Sequence, residues 1–478
     1  MPINEKILLV EPPFYRLFKK TYGLVRYPLS LAYLATAIRT HLDWEVLVHN
    51  GDFLPKSDPF EATFFHGEGF HNYRQGLRDA GHVCFRETRT IIEGFHPSIV
   101  GISVKSSTFA SAVQVARIAK SVDPRIIVIA GGPHPTAAAE ETLACPEIDL
   151  CVAGEGEETI VELLRALQGG SAVEDVAGIV SRRGTGIVRS TRRRLIPGLD
   201  ALGFPYADAA AVLNDYDAYP PEAFRSVFSS RGCPHHCLFC GSREIWGRKV
   251  RLRSPGHVAA EIRQRQAMGV REIHFDDDVF GATHANLTGL CRAIGESCPE
   301  LSWSCEMHVG QATNEALQAM KAANCAFVQV GIESGNNGLL KAMRKGYTIE
   351  EALTACRRIK QHGLGLQAFF MAGFPGETEG SLQDTFRVME ALDADKVIFS
   401  VFTPYPGTEA FQCCREQGLI PADYEASLYY HQGPENFFCG DLAPASFQHW
   451  VARLANLAVQ KNLEKRSITT LSMPPGPQ

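Results

Sequence analysis

The chain alternates short apolar runs with amphipathic helical patterns, and it does so in two separate blocks. The first block contains runs such as KILLVEPP, SIVGISVKSS and RIIVIAGGPHPT, with helical patterns such as PLSLAYLATAIRTH between them. Strands that are apolar throughout are typical of a parallel sheet with helices on both faces. The first block therefore predicts an α/β fold, a doubly wound, Rossmann-like parallel sheet, over residues 1–180.

The second block, residues 225–420, has longer helical patterns between its strands. Its six strand candidates are RSVFSSRGC, REIHFDDDVF, LSWSCEMHV, AFVQVGIESG, LGLQAFFMAGFPG and DKVIFSVFTPYPG. Six βα units are too few for a closed eight-stranded barrel and predict a partial (β/α)6 TIM-type barrel. We expect residues 181–224 to be a linker, and residues 421–478 to be a C-terminal helical extension with a disordered tail.

Composition narrows the class of protein. The chain has 47 basic and 53 acidic residues and a net charge of −6. This balance argues against a dedicated nucleic-acid binder. There is no unbroken apolar run of about 18 residues and no signal-peptide pattern, so we expect no membrane span. Fourteen cysteines spread through so large a chain favour thiols and metal ligands over disulfides. We expect a cytoplasmic protein.

Three cysteines stand close together where the first strand of the second block ends. They are Cys233, Cys237 and Cys240, in SSRGCPHHCLFCGS. Thiolates suit zinc or iron-sulfur clusters, but structural zinc usually takes four ligands in two pairs, and no second pair is evident. His235 and His236 are neighbours, which makes it hard for both to point inward with the thiols. A cubane cluster normally takes four cysteines, so three leave one iron open, as in a catalytic site.

Polar and glycine-rich segments follow the strands of the first block. In open α/β sheets, ligands bind at this carboxyl edge, so we expect a ligand there. The candidate residues are Pro12, Asp52, Ser106, Ser107, Gly131, Gly132, Gly154, Glu155 and Gly156.

The Cys-x-x-x-Cys-x-x-Cys spacing at the end of the first barrel strand resembles the signature of radical S-adenosylmethionine enzymes. The resemblance includes the aromatic Phe239 before the last cysteine. It implies a [4Fe-4S] cluster held by the three cysteines, with S-adenosyl-L-methionine on the open iron. One electron then cleaves the sulfonium to give a 5′-deoxyadenosyl radical.

Two further barrel segments agree with this resemblance. HFDDDVF places Asp276, Asp277 and Asp278 near the cluster, where similar proteins hold the ammonium of the cosubstrate with an acidic group. A magnesium site or helix capping are the alternatives, although alternating side-chain directions along a strand would split the three between two faces. GIESG carries Glu333 and Ser334, where relatives contact the methionine or ribose part.

A doubly wound domain before such a barrel is similar to the cobalamin-binding radical S-adenosylmethionine enzymes, over about residues 5 to 420. IVGISVKSST, VIAGGPHPT and CVAGEGEETIVELL resemble the segments that surround cobalamin in that family. The resemblance therefore assigns the sheet-edge candidates to cobalamin. The Asp-x-His-x-x-Gly motif that supplies a histidine to cobalt elsewhere is absent, and His134 does not replace it by spacing. The lower axial ligand stays unassigned.

The family resemblance implies methylation of an unactivated carbon in a biosynthetic intermediate. The adenosyl radical removes a hydrogen atom, the substrate radical takes a methyl group from methylcobalamin, and a second S-adenosylmethionine remethylates the cobalt once it has been reduced. The expected partners are a small-molecule substrate and an electron donor such as flavodoxin or ferredoxin. The residues that act directly on the substrate are unknown from sequence.

Three alternatives stay open. Relatives with the same two domains carry out oxidative cyclisation or ring rearrangement without methyl transfer. A tRNA methylthiotransferase would need a second cluster in the first domain, and Cys84, Cys145 and Cys151 are not placed like paired ligand loops. A non-enzymatic cobalamin sensor would leave the cysteine motif unexplained. Residues 53–90 are either a cover over the site or an ordinary insertion.

Overall fold

The computed structural model describes residues 4–58, 65–184, 186–433 and 435–471, without the side chains of 466–471. Over these residues the chain forms two large sheets and one short strand pair. The strands are β1 (Lys6–Glu11), β2 (Glu45–Asn50), β3 (Ile99–Ser103), β4 (Ile127–Gly131), β5 (Leu150–Val152), β6 (Ile179–Arg183), β7 (Gly186–Arg189), β8 (Ser226–Val227), β9 (Ser230–Arg231), β10 (Arg251–Leu252), β11 (Glu272–Phe275), β12 (Ser302–Glu306), β13 (Cys325–Glu333), β14 (Gly365–Ala372) and β15 (Lys396–Val401).

Helices connect these strands and cover the sheets. They are α1 (Tyr15–Phe18), α2 (Leu29–His41), α3 (Gly67–Gly76), α4 (Val83–Phe95), α5 (Phe109–Val122), α6 (Pro133–Ala137), α7 (Ala139–Leu143), α8 (Glu157–Gly169), α9 (Ala209–Val212), α10 (Ser242–Trp246), α11 (Pro255–Ala267), α12 (His284–Ser297), α13 (Asn314–Ala322), α14 (Asn337–Ala342), α15 (Ile349–Gln361), α16 (Glu379–Ala391), α17 (Glu409–Glu416) and α18 (Pro444–Leu471). Within the described ranges, no helix is long and apolar enough to cross a membrane.

The first sheet has the order β2-β1-β3-β4-β5-β6-β7, and β1 to β5 are parallel. Strand β1 shows why the sheet needs helices on both faces. Ile7 and Leu9 belong to one buried core, while Leu8 and Val10 belong to the other. The predicted doubly wound α/β domain is confirmed.

The second sheet has its six strands in chain order, β8-β11-β12-β13-β14-β15, and every neighbouring pair is parallel. Each strand corresponds to one of the six candidates of the sequence. The strands β8 and β15 are the two edges, so the predicted partial (β/α)6 barrel is confirmed. Parallel strands place their carboxyl ends together, and the loops that follow them form one mouth.

The predicted linker packs closely against the first sheet. The strands β6 and β7 form an antiparallel hairpin that extends this sheet past residue 180. The hairpin is polar and short, which is why its sequence signal is weak. Further along, the ring of Tyr206 stacks on Tyr27 at 5.1 Å, and Leu213 bridges to Val48 beside the sheet edge.

The C-terminal extension contacts both sheets. The helix α18 packs on β15, where the side-chain amide of Asn462 exchanges hydrogen bonds with the backbone N–H and C=O of Val397 at 2.8 and 2.9 Å. Before it, Ser427 accepts a hydrogen bond from the N–H of Ala110 at 2.8 Å. The tail predicted to be disordered, the PPGPQ end at residues 474–478, lies outside the described residues.

The described part of segment 53–90 packs over α1 and the C-terminal extension. The ring of Tyr73 stacks on Phe18 at 4.2 Å, and its hydroxyl donates to the carbonyl of Ser427 at 2.7 Å. Tyr430 in turn donates to the carbonyl of Phe65 at 2.7 Å. Residues 59–64 lie outside the described residues.

Candidate active site

The cysteine loop leaves the second sheet just after β8 and β9. The pairing of β9 with β10 fixes the base of the loop. Gly232, directly before Cys233, has φ of 99°, and a Cβ there would lie 2.8 Å from the carbonyl oxygen of Lys249. Only glycine fits this close approach without strain. The tight turn therefore places the motif at the barrel mouth.

The three cysteine thiols line one small cavity of about 30 Å³, the cysteine cavity. Cys233 and Cys237 are partly buried and Cys240 is exposed. Burial raises the pKa of the Cys233 thiol, and the charges of Asp278 and Cys237 raise it further. Among the residues that the structure describes, no group of three or more His, Cys, Asp or Glu side chains is assembled at metal-binding distance. The thiols thus share a cavity without forming a finished coordination shell.

Both histidines of the loop have other partners. The ring of His235 stacks on His308 with centroids 3.6 Å apart, and Nε2 of His236 lies 3.0 Å from an Arg248 guanidinium nitrogen. Both histidine rings line the cysteine cavity but are in contact with partners other than the thiols. The donor set fits a cluster held by three thiolates with one iron open.

Carboxylates gather at the barrel mouth. Asp276 and Asp278 follow β11, and Glu306 ends β12. Protein atoms crowded around the Glu306 carboxyl raise its pKa to about 7 although the residue keeps contact with solvent, and repulsion from Asp276 and Asp278 adds to the effect. Asp278 and Cys240 line the same cavity, and burial, followed by the charge of Asp278, raises the pKa of the Cys240 thiol. This group is suited to an ammonium, whose positive charge would relieve the repulsion.

Asp277 points the other way, into the protein. Its carboxylate accepts hydrogen bonds from the N–H groups of Ser229 and Ser230 at 2.7 and 3.1 Å, and from both hydroxyls. Burial nevertheless raises the pKa of Asp277 to about 7. The three aspartates are split between two faces, and the middle one ties the exit of β8 to that of β11.

The segment GIESG ends β13 in a strained turn. Glu333 has φ of 67°, and its carboxylate pairs with Nζ of Lys345 at 2.9 Å. The Lys345 ammonium lies 5.5 Å from the ring centre of Phe239. Burial lowers the pKa of Lys345, but Glu333 and Tyr347 outweigh it and raise the pKa. Ser334 is buried, and its hydroxyl bonds to that of Thr385 in α16 at 3.2 Å.

A cavity of about 570 Å³, the large cavity, lies between the two sheets. On one side it is lined by Asp52, Ser106 and Ser107 at the carboxyl edge of the first sheet. On the other it reaches Cys240 and Asp278 of the barrel. The Asp52 carboxylate accepts from the N–H groups at the start of α1, and burial raises its pKa to about 6.

A second cavity of about 310 Å³, the sheet-edge cavity, continues along β4 and β5. It is lined by five of the remaining sheet-edge candidates, Gly131, Gly132, Gly154, Glu155 and Gly156. The sixth, Pro12, is buried and lines neither cavity. Gly132 has φ of 108°, and a Cβ there would lie 3.0 Å from the carbonyl oxygen of Val104. The backbone itself therefore forms this part of the cavity wall.

A buried ion-pair network joins the two domains beside these cavities. Arg231, two residues before Cys233, pairs with Glu155 at 2.8 Å and also with Glu157. Arg251 pairs with the same Glu155 at 2.8 Å. The carboxylate of Glu155 also accepts the N–H of Ile196 at 2.7 Å. These buried ion pairs fix the cysteine loop relative to the first sheet.

Two halves, a sheet with a ligand-sized cavity at its edge and a partial barrel with a three-cysteine loop, define a two-domain cofactor enzyme. The B12 binding domain family model matches residues 15–164, and the Radical SAM superfamily model matches residues 227–389. The chain belongs to the cobalamin-binding radical S-adenosylmethionine enzymes. Its cofactors are a [4Fe-4S] cluster, S-adenosylmethionine and cobalamin.

Individual relatives agree with this assignment. The chain is 32% identical to an uncharacterized methyltransferase of Pyrococcus horikoshii, over 87% of this chain and 84% of the relative. It is 26% identical to the cytidylyl-2-hydroxyethylphosphonate methyltransferase of Streptomyces wedmorensis, over 90% and 85%. The fold matches the methyltransferase TsrM of Kitasatospora setae, solved with cobalamin and a [4Fe-4S] cluster, with a TM-score of 0.67 at 20% identity, over 88% of this chain and 76% of TsrM.

Several residues at these sites carry no sequence signal of their own. Glu306 and Lys345 are single charged residues, and only their position at the barrel mouth marks them. Trp246 in α10, six residues past the last cysteine, lines both the large cavity and the sheet-edge cavity. Lys105 is the exception, because it directly precedes the predicted Ser106 in IVGISVKSST.

Proposed function

We propose that this enzyme transfers a methyl group to an unactivated carbon of a small biosynthetic intermediate. The observation that carries the proposal is the large cavity, which extends from Ser106 and Ser107 at the edge of the first sheet to Cys240 at the barrel mouth. A substrate in this cavity would lie between the two cofactor sites. When bound, the cofactors supply the radical that activates a C–H bond and the methyl group that replaces the hydrogen.

The residues of the chain bind and orient these groups. Cys233, Cys237 and Cys240 would hold the cluster. Asp276, Asp278 and Glu306 would hold the cosubstrate's ammonium, while Glu333 and Phe239 would form the adjoining wall with Lys345. The sheet-edge glycines, with Asp52, Ser106 and Ser107, would hold cobalamin.

The protonation of Glu306 is part of the proposed binding of the cosubstrate's ammonium. Its pKa of about 7 means that the carboxyl group keeps a proton over much of the neutral range. An arriving ammonium would lower that pKa, release the proton and gain a charge-assisted contact. Ring side chains from both domains, Tyr15, Trp246 and Tyr405, line the large cavity and would exclude water from the reacting carbon.

The remaining expectations extend the same proposal. All fourteen cysteines are free thiols, which supports a reducing, cytoplasmic location. The division into residues 1–180, 181–224, 225–420 and 421–478 stands as our proposal, with the first sheet continuing to Arg189. The electron donor of the flavodoxin or ferredoxin type stays a prediction.

The test is anaerobic reconstitution with iron, sulfide and cobalamin, followed by mass spectrometry of the S-adenosylmethionine products under a strong reductant with candidate substrates. We expect bound cobalamin, 5′-deoxyadenosine and S-adenosylhomocysteine, all products being lost in the Cys233→Ala, Cys237→Ala, Cys240→Ala triple variant. A substrate consumed with 5′-deoxyadenosine but without S-adenosylhomocysteine would contradict methyl transfer and indicate a cyclising or ring-rearranging enzyme.

A further inference from the structure

The large cavity and the sheet-edge cavity share one charged wall. The charged residues that line both are Glu11, Arg26 and Lys105. Lys105 pairs with Glu11 at 2.7 Å. The guanidinium of Arg26 has no acidic partner or side-chain hydrogen bond among the described residues. Of the three charged side chains that line both cavities, Arg26 is therefore the one without an ion pair within the described part of the chain.

The backbone of Arg26 is held firmly although its side chain is not. Its carbonyl accepts a hydrogen bond from Nδ2 of Asn50 at 2.8 Å. On either side of it, Leu24 donates to the carbonyl of Asp52 at 2.8 Å, and Tyr27 donates to that of Ala223 at 3.0 Å. The chain thus fixes the origin of the side chain beside the end of β2. Arg26 is an exposed residue, but these hydrogen bonds hold its backbone at the rim of both cavities.

Other arginines near the site are already paired. Arg231 and Arg251 bind buried carboxylates, and Arg16 binds Glu87 at 2.6 Å. The planar guanidinium matches a two-oxygen anion through parallel N–H bonds. An arginine that is anchored, unpaired and placed on a ligand cavity is suited to an anion that arrives with the ligand.

We propose that Arg26 binds an oxyanion where the two cavities meet. This inference rests on the proposed function, because it takes both cavities as cofactor and substrate sites. The same chemistry has two sources: the phosphodiester of the cobalamin nucleotide tail, or a carboxylate or phosphate of the substrate. Arg26 is then a binding residue for one of the ligands of the reaction.

The first experiment measures the dissociation constants of cobalamin and of cobinamide, a corrin without the phosphodiester and nucleotide, by absorbance titration. It uses the wild type, Arg26→Met, Arg26→Lys and the control Arg39→Met. Arg39 lies on α2, outside both cavities, and faces Asp208 at 3.5 Å. If the anion is the phosphodiester, Arg26→Met should bind cobalamin about tenfold to a hundredfold more weakly, or about 1.4–2.8 kcal/mol. Cobinamide binding should not change, and Arg26→Lys should restore part of the loss.

The second experiment tests the substrate as the source. Methyl phosphate and acetate are titrated into the cobalamin-loaded protein while the tryptophan fluorescence is followed, to which Trp246 contributes from the wall of both cavities. A saturable change in the wild type and in Arg39→Met that is lost in Arg26→Met would support a substrate anion. The same titration in cobalamin-free protein shows whether the site accepts an anion before the corrin binds.

Two results would overturn the inference. One is equal weakening of cobalamin and cobinamide by Arg26→Met, which would indicate a general disturbance of the pocket. The other is the absence of any Arg26-dependent difference in both experiments. A wild type that binds no cobalamin would instead contradict the proposed function, and the anion titration of the cobalamin-free protein would still decide the role of Arg26.

Discussion

Among the described residues, charged side chains near the junction of the two domains are paired on one side and unpaired on the other. On the locked side, Arg231 and Arg251 are buried against Glu155 and Glu157, and every one of these side chains is at most 8% exposed. On the open side, Asp278 and Glu306 face solvent-accessible space at the barrel mouth, without a basic partner within salt-bridge distance in the described part of the chain. Both sides lie close to the cysteine loop.

The difference separates structure from ligand binding. A buried charge must be paired, because leaving it alone costs several kcal/mol. The locked side meets this requirement within the protein and holds the domains in register. The open side leaves like charges together, which costs stability in the free protein and is relieved by a ligand of opposite charge. The same residue type, glutamate, therefore has opposite effects at the two sides.

Substitution of Glu155→Gln should give the largest change. It leaves Arg251 without its buried carboxylate and weakens the contact with Arg231, so we expect the free energy of unfolding to fall by about 3–5 kcal/mol. Urea denaturation of the cofactor-free protein measures it. The control is Arg74→Ala, which breaks an exposed pair with Glu435 at 3.4 Å and should cost less than about 1 kcal/mol. Equal losses in the two variants would show that the buried pairs of Glu155 stabilise the protein no more than an exposed pair does.

Substitution of Gly132→Ala should have an intermediate effect and tests the wall of the sheet-edge cavity. The φ of 108° and the 3.0 Å approach of a Cβ to the Val104 oxygen predict a loss of about 1–3 kcal/mol. The matched control is Gly94→Ala in α4, where a Cβ would meet nothing within 4 Å. That change should stabilise the protein by about 0.5–1 kcal/mol. A destabilised Gly94→Ala and an unchanged Gly132→Ala would contradict the account of this wall.

The open side was predictable from sequence in part, because its signals are local. The strands, the three cysteines and the sheet-edge loops each lie within a short segment whose pattern identifies it. Asp276 to Asp278 could also be located, although only the alternation of side chains along the strand indicated that the middle aspartate would point away. Pattern fails for Glu306, since a lone glutamate at the end of a strand looks like any solvated residue.

The locked side was not predictable. Glu155 appeared in the sequence as a member of a glycine-rich ligand loop, and its partner Arg231 lies 76 residues further along the chain. An ion pair between domains depends on how the two sheets pack, and no periodicity within either sheet encodes that. The hairpin of β6 and β7 was not predicted for a related reason. Its polar strands are stabilised by pairing with β5, and the sequence pattern of a single strand does not contain that contact.

Substitution of Glu306→Gln should give the smallest change and the opposite sign to Glu155→Gln. The pKa of Glu306 is raised from 4.5 to about 7 in the folded protein. Between these two values the unfolded chain loses the proton while the folded protein keeps it, so unfolding becomes easier as the pH rises. Above pH 7 both states are ionised and the destabilisation is complete. Because Glu306 is exposed to solvent, screening limits the effect to on the order of 1 kcal/mol.

Glutamine removes this titration, so Glu306→Gln should be more stable than the wild type at pH 8 and equal to it at pH 4. Urea denaturation across pH 4–8 measures the difference. A second readout is the affinity for S-adenosylmethionine in the cluster-loaded protein, which should weaken because the ammonium loses one of its carboxylates. The comparison would fail if Glu306→Gln were less stable than the wild type at pH 8, because Glu306 would then be a stabilising group like Glu155. Stabilisation together with weaker binding would show that the protein tolerates repulsion at this mouth in order to bind a cation there.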